Sequence, residues 1–167
     1  MKRNILVAAL LLFIIGCTPQ QSDQLTQQQK DQIKKELTAV VDSMIARFDR
    51  LDVNGGFQYS WDSPEYVAFN ADGSRSDFQA TKKAAIDALG SMVALKISTV
   101  REDFTVLSKD LAICAWAGKE EVTLKSGDKV LYDPDATTLI FRKIADQWKA
   151  IYSHESATIV TQKADKK

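Results

Sequence analysis

The sequence has few of the residues on which covalent or metal-based sites depend. Among 167 residues there are two cysteines, one histidine and three prolines. A disulfide scaffold needs more cysteine, and one histidine cannot build a histidine-based zinc site. Net charge is also lacking, since 22 Lys and Arg balance 22 Asp and Glu and no basic run exceeds Lys34-Lys35 or Lys82-Lys83 in length. We therefore expect no metal, no other cofactor and no nucleic-acid partner.

Apolar residues are concentrated at the N-terminus, where Lys2 and Arg3 precede an unbroken apolar run over residues 5–15. As a helix this run would span about 16 Å, roughly half of a bilayer core, so it predicts a secretory signal peptide rather than a membrane-spanning helix. The stretch Ile14-Ile15-Gly16-Cys17 also resembles the lipobox of bacterial lipoproteins. That resemblance implies cleavage before Cys17 and attachment of fatty acyl chains such as palmitate to it. The alternative is an ordinary secretory signal in which Cys17 has no role.

The residue after Cys17 suggests where such a lipoprotein would reside. Thr18 is not the aspartate that resembles an inner-membrane retention signal. We therefore expect an outer-membrane protein facing the periplasm if the source is Gram-negative. The predicted organisation is a signal peptide, an acylated cysteine with a flexible tether, one folded domain and a polar tail, at residues 1–16, 17–25, 26–160 and 161–167.

Cleavage would change the chemistry of the chain. The mature protein would keep 151 residues, and its basic residues would fall to 20 against 22 acidic ones because Lys2 and Arg3 are removed. Cys114 would be its only free thiol. Since Cys114 lies in an apolar run with no nearby group to lower its pKa, we predict a buried, inert side chain.

Apolar periodicity predicts two helices. Thr26 and Gln29 form a capping box, and apolar residues then recur every three or four positions as far as Leu51. We expect Asn54-Gly55-Gly56 to end this helix. A second helix, capped by Ser76, is predicted over 77–92.

The rest of the chain is predicted to form strands. The aromatic-rich segment 57–73 is compatible with two short strands around a turn. From Val93 onward, turn clusters separate four longer runs, at 95–107, 111–125, 129–142 and 148–160. They predict an antiparallel meander with a break or bulge at Asp133-Pro134-Asp135. The fold class is therefore α+β, with a curved sheet wrapped around the N-terminal helices.

The closing strand carries a family resemblance. Trp148-Lys149 is followed by His154 and Ser156, after an aspartate-containing turn. This pattern resembles the SnoaL-like branch of the nuclear transport factor 2-like superfamily, whose fold is also called cystatin-like. The resemblance implies a cone-shaped α+β domain with a pocket between helices and sheet, and often a homodimer through the outer sheet face. It implies no particular chemistry.

Several aromatic residues and the single histidine are candidates for lining such a pocket. Strand alternation places Trp148, Ala150, Tyr152, His154 and Ser156 on one face of the last strand. For His154 we favour a structural role, and a ligand contact and general acid–base catalysis are the alternatives. Core packing competes with pocket lining for the aromatics and is favoured for Trp116. The pocket candidates are Trp61, Tyr66, Trp116, Tyr132, Tyr152 and His154.

Carboxylates are the other candidate bases, and none matches a catalytic set residue by residue. We therefore predict that they are solvated or ion-paired surface groups, and name no catalytic residue; those considered are Asp62, Glu65, Asp103, Glu120 and Glu121. The favoured function is a lipid-anchored, non-catalytic module that binds a small apolar ligand or supports assembly. The alternatives are an isomerase, cyclase or hydrolase acting on a small apolar substrate, and an envelope scaffold that works through its sheet face.

Overall fold

A computed structural model of the chain describes residues 24–164. The predicted signal peptide, Cys17, most of the tether and the end of the polar tail lie outside the described residues. Within this range no helix is both long and apolar enough to cross a bilayer. Three helices and six strands follow one another as α1 (Gln27–Phe48), α2 (Val53–Phe57), β1 (Val67–Phe69), β2 (Arg75–Ser76), α3 (Phe78–Gly90), β3 (Met92–Ser108), β4 (Leu111–Leu124), β5 (Lys129–Ile144) and β6 (Gln147–Gln162).

The six strands form one curved, mixed sheet in the order β2-β1-β6-β5-β4-β3. Strands β3 to β6 pair antiparallel in chain order, so the predicted meander is confirmed. The short strand β1 joins β6 in parallel and pairs with β2 across the Asp72-Gly73 turn. The helices lie on the concave face of the sheet, and the α+β prediction is confirmed.

Helix α1 begins as predicted but ends earlier. Thr26 Oγ1 accepts from Gln29 N–H at 3.2 Å, and Gln29 Oε1 accepts from Thr26 N–H at 2.8 Å, which completes the capping box. The helix ends at Phe48, and Leu51, with a φ of 58°, turns the backbone before the glycine pair is reached. Gly55 and Gly56 instead belong to α2.

Gly56 has a packing role. A Cβ atom there would lie 2.5 Å from Cζ of Phe48, so only glycine lets the Phe48 ring approach α2. The expectation that Asn54-Gly55-Gly56 ends α1 is therefore wrong, because these residues form part of α2 and Gly56 is needed there for packing.

The predicted cap of the second predicted helix, which is α3 in the structure, is also corrected. Asp77 rather than Ser76 accepts from the Ala80 N–H, at 2.8 Å.

The main core lies between α1 and the sheet. Ile33, Leu37 and Val41 of α1 pack on buried residues of β3 to β6. Cys114 is among them and fully buried, so the prediction of a buried thiol is confirmed. Burial raises the pKa of this thiol to about 12, which agrees with the expectation that it is inert. A second cluster joins α2, β1 and α3 through Phe57, Tyr66, Phe78 and their neighbours.

The C-terminal end of β6 extends into the expected tail. Thr161 and Gln162 still pair with β5. Beyond them, Lys163 Nζ and the Ala164 N–H both donate to the Asp128 carboxylate, at 3.1 and 2.9 Å. These contacts attach residues 161–164 to the turn between β4 and β5.

Candidate functional site

A cavity of about 410 Å³ lies between the helices and the concave sheet face. This volume is within the range of small-molecule sites. The C-terminal half of α1 and one side of α3 supply apolar walls, and the sheet supplies the floor. Its apolar lining consists of Val41, Met44, Ile45, Phe48, Phe57, Ala84, Ala85, Ala88, Leu89, Leu95, Ile97, Trp116 and Leu139.

Trp116 and Gly118 shape the floor of the cavity. The Trp116 Nε1 donates to Thr99 Oγ1 at 2.9 Å, which fixes the indole on the sheet. Gly118 lies two residues further along β4, and the indole covers it. A Cβ on Gly118 would lie 2.5 Å from Trp116 Cη2 and would also collide with the backbone carbonyl of Ser98. Glycine at 118 thus permits this position of the Trp116 ring.

Gly118→Ala is therefore expected to lower the free energy of unfolding by about 1–3 kcal/mol, because the added methyl group overpacks a rigid contact. It should also shift Trp116 fluorescence. Denaturant unfolding measures the first effect and emission spectra the second. Gly90→Ala is the matched control, since a Cβ at Gly90 meets nothing within 4 Å; equal effects of both substitutions would contradict the assignment.

Three carboxyl groups also line the cavity: Glu120 of β4, Asp135 of β5 and Glu155 of β6. Asp135 lies opposite Gly118 in the β4–β5 pair and opposite Ala157 in the β5–β6 pair. Glu155 is therefore diagonal to Asp135, with Cβ atoms of the order of 7–8 Å apart. Glu120 follows Gly118 by two residues on the same face. Small residues directly beside Asp135 leave space between the three carboxyl groups.

Burial dominates the electrostatics of this cluster. Asp135 is 2% exposed, and its Oδ1 has no hydrogen-bond partner among the described residues. Burial, followed by the charge of Glu155, raises the pKa of Asp135 to about 6. Burial, then the charges of Asp135, Glu155 and Asp49, raise the pKa of Glu120 to about 7. The pKa of Glu155 is also raised by burial.

Tyr66 also lines the cavity. Its hydroxyl lies 3.0 Å from Ser153 Oγ, and its ring packs edge-on against Phe78. Burial raises the pKa of the Tyr66 phenol, so it stays protonated at neutral pH. The cavity therefore contains a pair of hydroxyl groups, those of Tyr66 and Ser153, in addition to its three carboxyl groups.

The six predicted pocket residues are distributed over four places. Tyr66 and Trp116 line the cavity. Tyr132 is half-buried in the core as the cross-strand partner of Glu120, and burial, followed by the charge of Glu120, raises the pKa of its phenol. Trp61 borders a separate depression beside Lys149. Tyr152 and His154 both pack against Phe69, with ring centroids 6.4 and 6.0 Å apart.

A bulge in β6 explains the positions of Tyr152 and His154. Phe141 pairs with Ala150 while Ile140 pairs with Tyr152, so Ile151 is an extra residue. Trp148 and Ala150 are buried in the core, but beyond the bulge Ser153 and Glu155 face the cavity. The prediction of one continuous face from Trp148 to Ser156 is therefore wrong.

The positions of the carboxyl groups differ from the sequence prediction. Glu120, expected at the surface, lines the cavity. Asp135, which the sequence marks only as part of a strand break, and Glu155, which it does not single out as a base, line the cavity as well. The sequence of β4 contains a signal for the position of Glu120. Glu120 is an even number of positions from the apolar Cys114 and Trp116, so strand alternation places all three on the same face of the sheet. The predicted break itself is confirmed, since the β5–β6 register shifts between Tyr132 and Asp135.

Comparison of the whole structure with solved structures identifies the architecture. A nuclear transport factor 2-like superfamily protein from Salmonella enterica serovar Typhimurium superposes with a TM-score of 0.70, at 15% identity, over 83% of this chain and 99% of that one. The chain has the nuclear transport factor 2-like fold. No protein-family model matches the sequence, and no curated protein sequence matches it significantly.

The solved proteins with this fold have names that indicate different functions or none. A nuclear transport factor 2-like protein of unknown function from Pseudomonas putida superposes with a TM-score of 0.64, at 17% identity, covering 77% of this chain and 88% of that one. A type 2 hexachlorocyclohexane dehydrochlorinase superposes with a TM-score of 0.69, at 8% identity, covering 84% and 95%. At these identities the likeness establishes the nuclear transport factor 2-like fold alone.

Proposed function

We propose that this chain is a cell-envelope lipoprotein, anchored through acylated Cys17, whose nuclear transport factor 2-like domain binds a small, largely apolar ligand without transforming it. The cavity carries the proposal. Its lining is mainly aliphatic and aromatic, and its polar side chains are fewer, among them Thr81 of α3, Tyr66 and the three carboxyl groups of the sheet floor. This composition is the usual one for a small-molecule site, where apolar area supplies affinity and a few polar atoms fix orientation.

Filling the cavity tests the binding proposal. In Ala85→Phe the new ring would occupy cavity space beside Leu89, and we expect the affinity for phenylbutanol, a neutral apolar probe, to fall about tenfold or more. Isothermal titration calorimetry measures the affinity. Ala80→Phe is the matched control because Ala80 is exposed on the same helix and does not line the cavity. Equal binding by both variants would contradict a ligand site in the cavity.

The anchor has its own test. Cys17→Ser removes the only thiol that the lipobox places at the predicted cleavage site, and we expect the mature protein to lose its acyl mass and its membrane association. Intact-mass measurement and membrane fractionation check both, with Thr18→Ser as the control. A wild-type mature protein without acyl mass on residue 17 would disprove the anchor and leave the cavity proposal standing.

A second candidate is an acid–base enzyme in the same cavity. It is favoured by Glu120, because a carboxyl group with a pKa of about 7 is suited to proton transfer at neutral pH. The fold likeness to a dehydrochlorinase is compatible with it. His154 lies on the other side of the sheet, packed against Phe69, so an imidazole is not available to the cavity.

Exchange of the acidic protons of benzylacetone with deuterated solvent, followed by nuclear magnetic resonance, separates the two candidates. The enzyme candidate would be supported, and the binding proposal contradicted, if the wild-type protein accelerated this exchange above its rate in buffer. The acceleration should then be lost in Glu120→Gln and kept in Glu121→Gln. Glu121 is the matched control because it is exposed and adjacent to Glu120. We expect binding without accelerated exchange.

A further inference from the structure

We infer that the ligand of this cavity carries a positively charged amine, received by the buried carboxyl group of Asp135 between Glu120 and Glu155. The inference rests on the proposed ligand-binding function and adds the chemical class of the ligand. An apolar body would fill the space under α1 and α3, and the ammonium group would lie on the sheet floor.

Asp135 is the decisive residue. It is 2% exposed, it lines the cavity, and its Oδ1 has no partner among the described residues. A buried carboxylate oxygen without a hydrogen bond is strongly unfavourable, and native proteins satisfy nearly all such atoms. A donor arriving with the ligand would remove this cost. The unpaired oxygen therefore indicates a missing hydrogen-bond donor at this point of the cavity.

The surroundings specify that the donor is cationic. Of the described residues, none that lines the cavity is a lysine, arginine or histidine. The ion pairs of the described chain are all formed elsewhere, and none includes Glu120, Asp135 or Glu155. Three acidic groups therefore share a site that lacks a countercharge.

The other titratable groups near the cluster do not supply that charge. Tyr132 of β5 and Tyr66 before β1 are phenols with raised pKa values, so they are neutral. Asp49, at the end of α1, adds a further negative charge near Glu120 and already accepts from the Ile97 N–H at 2.7 Å. Asp49 is itself paired with Lys96 of β3, whose Nζ lies 3.4 Å from Asp49 Oδ2, so this ammonium group is already engaged. The charged groups that raise the pKa values of Glu120 and Asp135 are all acidic.

A metal ion is a poorer fit than an amine. No group of three or more Asp, Glu, His or Cys in residues 24–164 is arranged to hold a metal. The carboxyl groups lie on three different strands, with Gly118 and Ala157 directly beside Asp135. An ammonium group donates up to three hydrogen bonds and can contact carboxylates that are spread around it. The indole of Trp116, which covers Gly118, offers an aromatic surface to the same cation.

Three probes that share the same apolar phenylbutyl group and differ in charge test whether the cavity prefers a cation. Phenylbutylamine, phenylbutanol and phenylbutyrate are titrated into the protein by calorimetry at about pH 8. We expect the amine to bind about tenfold or more tightly than the alcohol, and the acid to bind weakest, because charge-assisted hydrogen bonds are stronger than neutral ones. We also expect the affinity of the amine to rise from about pH 5 to about pH 8, as the cavity carboxyl groups lose protons, while that of the alcohol stays constant.

Matched variants test which carboxyl groups bind the ammonium group. Asp135→Asn keeps the size of the side chain and should reduce the preference for the amine over the alcohol to about threefold or less. Glu155→Gln, a second variant on another strand, should weaken amine binding in the same direction. Glu121→Gln, exposed and outside the cavity, should leave the preference unchanged. Thermal unfolding of each variant verifies that it is folded.

The outcomes separate the two proposals. If none of the three probes binds, the ligand-binding function itself is wrong. If the alcohol binds as tightly as the amine, or if Asp135→Asn keeps the full preference for the amine, the cavity binds ligands but the amine inference is overturned.

Discussion

Phe141→Ala is expected to lower the free energy of unfolding by about 3–5 kcal/mol, a large share of the 5–15 kcal/mol that stabilises a typical domain. The Phe141 side chain is fully buried near the C-terminal end of β5. Its cross-strand partners are Ala112 and Ala150, which are fully buried as well. Because both neighbours are alanines, no larger side chain in the adjacent strands can fill the space that the ring leaves.

Denaturant unfolding at neutral pH, followed by tryptophan fluorescence, measures this effect. Leu107→Ala is the control, since Leu107 is 54% exposed on the edge strand β3, and it should change the free energy by about 0.5 kcal/mol or less. A cost below about 1 kcal/mol for Phe141→Ala would mean that the sheet and α1 collapse onto the vacated space.

Asp135→Asn is expected to stabilise the protein at about pH 8 by about 2–3 kcal/mol and to have little effect near pH 4. The folded-state pKa of Asp135, about 6, lies above its ordinary value of 3.8. Between these two values the unfolded chain has released the proton while the folded chain still holds it. The free energy of unfolding of the wild type therefore falls as pH rises through this window. Above the window, the destabilisation that the Asp135 carboxylate causes stays constant.

Free energies of unfolding measured from about pH 4 to pH 8 test this sign. The wild-type curve should fall with rising pH and the Asp135→Asn curve should fall less, with Glu120, Glu155 and Glu102, whose pKa values are also raised by burial, contributing to the remaining slope. Asp133→Asn, at an exposed carboxyl group in the same strand break, should follow the wild type. An Asp135→Asn variant less stable than the wild type at about pH 8 would show that the carboxylate has a favourable partner in the folded protein.

The local sequence was sufficient for most elements of the fold. The capping box at Thr26 and the turn clusters between strands act over a few residues, so they can be read without the tertiary structure. The end of α1 could not be read in this way. Leu51 takes a left-handed conformation and Gly56 admits the Phe48 ring, and both depend on how α2 packs against α1.

The cavity was only partly predictable. Tyr66 and Trp116 were pocket candidates and do line it. Tyr152 and His154 were also candidates but pack against Phe69, because one extra residue at Ile151 reverses the faces of β6. A bulge leaves no clear trace in one sequence, since it depends on the register that two neighbouring strands adopt together.

The sequence by itself determined the α+β class and the four-strand meander, because these features depend on composition and short-range periodicity, and the same kind of pattern predicts a signal peptide at residues 1–16. Only the tertiary structure decided which side chains share the cavity. Glu120, Asp135 and Glu155 come from three strands, and the register of those strands, set by bulges, places all three on one face. Their burial by α1 and α3, which the sequence does not specify, changes them from ordinary surface acids into an unpaired acidic cluster.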